Sequence, residues 1–265
     1  MAAIITLTTD FGARDPYVAA MKGVLRKRCP DAVIDDLTHE ISPHDIMEAL
    51  LFLEGAVPWY PEEAVHVVVV DPGVGTPRRP LALSVGGRRF IGPDNGLFSM
   101  FLAENEADWM YAINPDMLDV AVVSNTFHGR DIFAPAAAWL TMGLNPALLG
   151  APVLDPVRLP LPETLWLEAT PQTGLIVHID RFGNCITNIR RRQGATVNAS
   201  LAASVGNKQI SLRQTYGEAP PGALLALFGS SGRLELAANQ DSAARLLGLS
   251  RGDTVQILYA AMPSV

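Results

Sequence analysis

The chain has 265 residues, enough to bury a substantial core in one large or two modest domains. With 49% hydrophobic and 18% charged residues it is not a disordered chain, and a net charge of -7 offers no basic footprint for nucleic acid while leaving a cationic small ligand unrepelled. Cys29 and Cys185 are far apart and read as reduced thiols, MAAIITLTTD lacks the basic start of a signal peptide, and no segment reaches the roughly 20 apolar residues of a membrane span, so the expected location is the cytoplasm.

Strand and helix signals alternate through the first half. Ile4–Thr9 is a β-rich run that stops at Asp10-Phe11-Gly12. Tyr17–Arg28 carries Val18, Met21, Val24 and Leu25 at helical spacing, and Pro30 ends it. Residues 32–37 read as a second strand and residues 44–57 as a helix ended by Pro58. Residues 65–70, VHVVVV, form the clearest strand, apolar on both faces as a strand covered by helices on both sides must be. Shorter β signals follow at 81–85 and 89–91, then helices at 97–105 and 132–142, with Asp131 as the expected cap of the last. This order predicts an α/β domain with a largely parallel sheet. Between 145 and 162 periodicity fails and prolines accumulate, which marks a boundary. Beyond it the signals are mostly β, at 175–180, 186–189, 224–228 and Thr254–Tyr259, with one short helix at 240–247. The expectation is an N-terminal α/β domain over 1–155 and a smaller C-terminal β domain over 165–265.

Ligands of parallel α/β sheets bind beyond the carboxyl ends of the strands. Asp10 and Asp71 both stand at such ends, where an aspartate serves equally as a turn former. The loop Asp71-Pro-Gly-Val-Gly-Thr-Pro-Arg-Arg is glycine-rich but has no Walker A ending, and either Arg78 or Arg79 can fold back on Asp71. His128, followed by Gly129 and close to a helix start, suits a functional histidine, whereas His66 and His178 lie within strands and read as structural. Asp10, His39, His44 and Asp71 form a possible metal set without any known ligand spacing. In the C-terminal half, IDRFGNCITN and FGSSGRLE are polar glycine turns that fit hairpins and ligand contacts alike.

Seven stretches in order, TTDFGARDPYVAAMKG, DLTHEISPHDI, VVVVDPGVGTPRR, GPDNGL, FHGRDIFAP, IDRFGNCITNI and FGSSGRLELAAN, resemble one family. It is the S-adenosylmethionine hydroxide adenosyltransferases, or SAM hydrolases, relatives of the bacterial fluorinase and chlorinase. The resemblance implies hydrolysis of S-adenosyl-L-methionine to adenosine and L-methionine, by attack of an activated water on ribose C5′. It implies no metal or organic cofactor, and a homotrimer that holds substrate between the N-domain of one subunit and the C-domain of the next. The family's catalytic Asp, Arg and His fall on Asp71, Arg78 and His128. Asp10 takes the place of the ribose-hydroxyl contact, Asp15 and Asp180 of contacts to the methionine ammonium, and Ser230 of a contact to the amino-acid end. Asn184 is expected at the adenine edge with the backbone near Asn239 and Gln240, and Phe182 beside the substrate. Halide-using relatives carry a non-acidic residue where Asp71 stands, and a carboxylate there repels an anion. The rival expectations are a SAM-dependent halogenase and a non-catalytic adenosine-binding module.

Overall fold

The computed structural model describes residues 2–120, 123–167, 172–192 and 201–259. The chain divides into two compact units, Met1–Leu161 and Pro162–Val265.

The first unit runs β1 (Ile4–Thr9), α1 (Tyr17–Arg28), β2 (Val33–Thr38), α2 (Ile46–Ala56), β3 (Val65–Val69), β4 (Pro80–Val85), β5 (Arg88–Pro93), α3 (Ser99–Glu104), β6 (Ala107–Ala112) and α4 (Ala134–Thr141). Its six-stranded sheet has the order β2-β1-β3-β5-β4-β6. The neighbours β2, β1, β3 and β5 are mutually parallel, and β4 is antiparallel to both β5 and β6. The sheet is therefore mixed, yet only β4 runs against the other strands. The cause is local. Gly86 and Gly87, at φ 56° and 80°, join β4 to β5 in a tight hairpin whose two left-handed positions favour glycine.

Strand β3 divides two cores. Val65, Val67 and Val69 belong with Met21 and Leu25 of α1 and the alanines of α4. Val68 and Val70 pack on the other face with Leu53, Leu83, Phe90 and Leu102. Alternation along one strand thus buries both faces, and each fully buried valine or leucine contributes roughly 1.5–3 kcal/mol. His66 is fully buried on the same strand, with Nδ1 2.8 Å from Thr6 Oγ1. Burial first, then the Arg88 charge, pushes its pKa down to about 4, so it is a neutral structural residue near neutral pH.

Helix boundaries follow side-chain chemistry. The last turn of α1 carries Arg26, Lys27 and Arg28, which complement the negative end of the helix. Asp45 caps α2 by accepting from the Glu48 N–H at 2.9 Å, so the helix starts at Ile46, two residues later than expected. The expectation that Asp131 caps a helix at 132 is wrong. A π-helical turn over Gly129–Phe133 comes first and leads into α4, and His128 precedes it. Asp131 lies inside that turn, where its carboxylate accepts from the Ser124 N–H at 2.8 Å and from the Arg130 guanidinium.

The second unit contains β7 (Leu165–Trp166), β8 (Gln172–Ile179), β9 (Cys185–Arg190), β10 (Leu201–Val205), β11 (Lys208–Ser211), β12 (Leu224–Phe228), β13 (Arg233–Ala238), α5 (Ala243–Leu247) and β14 (Thr254–Tyr259). The strand order is β11-β10-β14-β8-β9-β13-β12, antiparallel throughout, with β7 added in parallel beside β9. A bridge between Leu212 and Ala226 brings the β11 end back to β12, so the sheet curls into a nearly closed barrel. Ile176, Ile189, Leu234, Leu236, Val255 and Ile257 fill its core. The helix expected at 240–247 starts later, because Gln240 takes a left-handed φ of 57° and Ser242 is the cap.

Candidate active site

The parallel register of β1 and β3 pairs Thr9 with Val69, so Asp10 and Asp71 leave the sheet side by side at its carboxyl edge. Both line a cavity of about 280 Å³, together with Phe11, Tyr17, His44, Phe127 and His128. The Asp10 carboxylate accepts from the His44 backbone N–H at 2.9 Å, which holds His44 at its left-handed φ of 68°. Phe11, Tyr17 and Phe127 pack as a three-ring wall with centroids 5.3 to 6.3 Å apart. These rings, and not only the polar residues, shape the cavity. Their sequence signal was the position of Phe11 and Phe127 beside Asp10 and His128.

The loop after β3 folds on itself. The Val74 N–H donates to the Asp71 carbonyl, and both the backbone N–H and the hydroxyl of Thr76 donate to the Gly73 carbonyl. Gly75, at φ 79°, runs so close to the next loop that a β-carbon there would lie 2.6 Å from the Asn125 carbonyl oxygen. This path returns Arg78 to Asp71. Its Nε lies 3.0 Å from both carboxylate oxygens and its Nη2 also donates to Oδ2. The same Nη2 lies 2.7 Å from His128 Nδ1, and the guanidinium stands 5.5 Å over the Phe133 ring. Only 8% of the Arg78 side chain and 5% of the Asp71 side chain are exposed, so water screens this pair weakly. Asp71, Arg78 and His128 are one hydrogen-bonded chain, with Arg78 in the middle.

The chain fixes a tautomer. A guanidinium only donates, so His128 Nδ1 accepts and the neutral ring carries its proton on Nε2. Burial and then the Arg78 charge hold His128 below its ordinary value of 6.5, against the upward pull of Asp71 and Asp131. Arg79 points elsewhere and bonds Asp94 and Asp155.

The metal set does not assemble. His39 is engaged by Thr9 Oγ1 at 2.9 Å and by Asp36, and among the described residues no three His, Cys, Asp or Glu side chains are placed to hold an ion. Asp15 is exposed on the β1–α1 loop and is not among the cavity-lining residues.

The second unit has its own cleft of about 570 Å³, lined by Asp180, Phe182, Asn184, Tyr216, Gln240 and Asp241 among others. Asp180 organises the turn after β8. Its Oδ1 accepts from the Phe182 and Asn184 N–H groups, each at 2.9 Å, and its Oδ2 from the Asn184 side-chain amide at 2.8 Å. That geometry commits the Asn184 Nδ2 within the protein and leaves Phe182 76% exposed at the cleft. Tyr216, which the sequence did not single out, donates its hydroxyl to the buried Glu235 carboxylate at 2.9 Å. Asn239 is turned inward, with its side-chain amide on the Ala219 carbonyl. Ser230 is exposed in the β12–β13 turn, outside the residues lining the cleft.

Residues 5–150 match the model of the SAM hydroxide adenosyltransferase N-terminal domain, and residues 174–256 that of the C-terminal domain. The chain belongs to the SAM hydroxide adenosyltransferase family. Among its relatives, a protein named (R)-S-adenosyl-L-methionine hydrolase from Thermus thermophilus is 43% identical over 94% of this chain and 97% of its own length. One of the same name from Salinispora arenicola is 40% identical over 96% and 97%. A Nocardia brasiliensis fluorinase is 27% identical over 96% of both. The fold agrees with a crystal structure of a conserved Thermotoga maritima protein, at TM-score 0.88 and 32% identity over 96% of this chain and 99% of that one. The relatives of this chain thus carry the names of a hydrolase and, at lower identity, of a fluorinase.

Proposed function

We propose that this protein is an enzyme that hydrolyses S-adenosyl-L-methionine to adenosine and L-methionine at the cavity beside Asp71. The observation that carries the reading is the part-buried Asp71–Arg78–His128 chain at the carboxyl edge of the sheet. Water oxygen forms a bond to ribose C5′ as the C5′–S bond breaks, in a nucleophilic substitution. The bonding pair goes to the sulfonium sulfur and leaves as the neutral thioether of methionine. Water must lose a proton in this step, and its unassisted pKa of about 15.7 makes a base necessary near neutral pH. Asp71 is the acceptor. His128 Nδ1 is filled by Arg78, and its other ring nitrogen already carries hydrogen. His128 orients the water, and Arg78 holds both partners in place and balances the Asp71 charge. General-base assistance of this kind contributes about 10²- to 10⁴-fold, and in-line positioning adds to it.

Water is favoured over halide because Asp71, its charge balanced by Arg78, serves as a proton acceptor, and a halide has no proton to give. Asp10 binds the ribose hydroxyls, and Asp15 and Asp180 serve the methionine ammonium. Ser230 contacts the amino-acid end, Asn184 and the backbone near Asn239 and Gln240 the adenine edge, and Phe182 packs beside the substrate. The protein acts in the cytoplasm as a homotrimer whose sites join the first unit of one subunit to the second unit of its neighbour. The names of the relatives specify the R configuration at sulfur, and we infer the same preference here.

The test is incubation of the purified protein with separated sulfonium epimers in H₂¹⁸O, followed by chromatography and mass spectrometry. Adenosine with ¹⁸O at the 5′ position, released with methionine, is the expected result. No adenosine above the enzyme-free control ends the proposal. Chloride-dependent 5′-chloro-5′-deoxyadenosine assigns the halogenase reaction instead, and retained adenosine without turnover assigns a binding module.

A further inference from the structure

The motif Gly92-Pro-Asp-Asn-Gly-Leu97 stands out in the sequence, and nothing in the site described above uses it. It begins at the end of β5 and meets both flanks of the Asp71–Arg78 loop. Its two polar residues grip opposite ends of that loop. Asn95 Nδ2 donates to the Val70 carbonyl at 2.9 Å, one residue before Asp71. Asp94 Oδ2 accepts from Arg79 Nε at 2.7 Å, one residue after Arg78. The Asp94 backbone N–H donates to the Arg79 carbonyl at 2.8 Å. The other Asp94 oxygen accepts from the Val157 N–H at 2.8 Å, and Arg79 reaches on to Asp155 at 2.7 Å. Only 3% of the Asp94 side chain is exposed against 34% of Arg79, so the carboxylate is held inside the protein while the guanidinium is open to water on its outer side.

We propose that Asp94 and Asn95 are positioning residues for the reaction, a clamp that fixes where Asp71 and Arg78 stand relative to each other and to His128. The proposal rests on the function given above. Two consecutive residues tie the two flanks of one loop to a common point just beyond the end of β5. Between those flanks the described backbone bonds of the loop are internal, as at Val74 and Thr76. Slack at either flank therefore passes directly to the carboxylate or the guanidinium. The clamp also links the site to the proline-rich segment at 152–157, because Asp94 and Arg79 together hold Asp155 and Val157.

Two variants separate the clamp from local folding. Asn95→Asp keeps an acceptor for the Leu97 N–H, which Asn95 Oδ1 now serves at 3.3 Å, but cannot donate to Val70. Arg79→Lys keeps a charge for Asp94 while losing the fork that also spans Asp155. Each is compared with Asp108→Asn, which weakens a turn at Ser84 and Gly87 on the same sheet without touching the loop. The readouts are kcat and KM for S-adenosylmethionine, and the titration of His128 by NMR of histidine-labelled protein, its signal assigned by its loss in His128→Gln. Arg78, Asp71 and Asp131 are the charged groups acting on His128.

Asn95→Asp and Arg79→Lys should each lower kcat roughly 10- to 100-fold, the scale of about 1 Å of misplacement, with KM within about twofold of the parent. The His128 pKa should rise toward its ordinary value as Arg78 draws away. Asp108→Asn should lower thermal stability and leave kcat and the titration alone. Folded Asn95→Asp and Arg79→Lys proteins with parental kcat and an unmoved His128 titration overturn the clamp, as does an equal loss of kcat in Asp108→Asn. If the parent protein releases no adenosine, the proposed function fails, and the titration still decides whether Asp94 and Asn95 set the position of Arg78.

Discussion

Arg78 stands between Asp71 and His128 and touches both, and this decides what each of them can do. Because its Nη2 occupies His128 Nδ1, protonating His128 would set two cations against each other. The sign for pH follows. His128 is held below its ordinary value, so it is neutral near pH 7 and its protonation costs the site its order only in more acid solution. We expect kcat to be flat through neutrality and to fall as pH drops below about 6.5, measured by single-turnover rates over pH 5–9. A limb centred well above that value would remove His128 from the acid side. Asp71→Asn keeps the shape of the side chain but removes the proton acceptor, and turnover should fall roughly 10²-fold or more with substrate affinity retained. At this scale the sequence was partly legible. Strand ends and a loop histidine flagged Asp10, Asp71 and His128, but nothing local separates Arg78 from Arg79. They diverge because consecutive residues in an extended segment face opposite ways, one to Asp71 and the other to Asp94.

Elements were legible where one physical signal dominated. VHVVVV reads as a strand because both of its faces are buried. Strand β6, ADWMYA, is half-exposed and carries a charge and mixed large residues, so no period stands out. Strand β13, RLELAA, is buried along its whole length yet contains Arg233 and Glu235, which masked it. Glu235 is kept there by its bond to Tyr216, and burial raises its pKa. The glycine pair Gly86-Gly87 is the sequence mark of the hairpin that joins the β signals at 81–85 and 89–91. Helix α2 gives a stability test. Gly55 lies in its last turns with open space where a β-carbon would sit, so Gly55→Ala should stabilise the protein by about 0.5–1 kcal/mol in denaturant unfolding, with activity unchanged. A loss of stability would mean that α2 needs the glycine for a reason the fold does not display.

At the scale of the molecule, the residues expected around one substrate fall into two units. Asp10, Asp71 and His128 line the cavity of the first, and Asp180, Phe182, Asn184 and Gln240 the cleft of the second. If sites form between subunits of a trimer, two dead proteins can repair each other. Asp71→Asn and Asp180→Ala, each inactive alone, should regain a fraction of parental activity after mixed refolding, and the particle should have three times the 28.4 kDa chain mass by light scattering. Mixtures as inactive as their parts would place both halves of the site in one subunit. No helix among the described residues is long and apolar enough to cross a membrane. The division into an α/β and a β half could be read from the change in period near residue 150. How many copies complete a site could not, because symmetry leaves no periodic mark in a single chain.

The contact at Gly75 governs how such a site can be altered by mutation. The loop that holds Asp71 and Arg78 meets the loop before His128 there, backbone to backbone, with less than a methyl group of room. Variation at Val74 or Thr126, on the cavity's rim, reshapes the space while leaving that seam closed. Any side chain at 75 must prise the seam apart and separate the acid from the histidine in a single step. Paths through sequence space toward a different nucleophile therefore run around this glycine, and a saturation library at 75 should return one survivor.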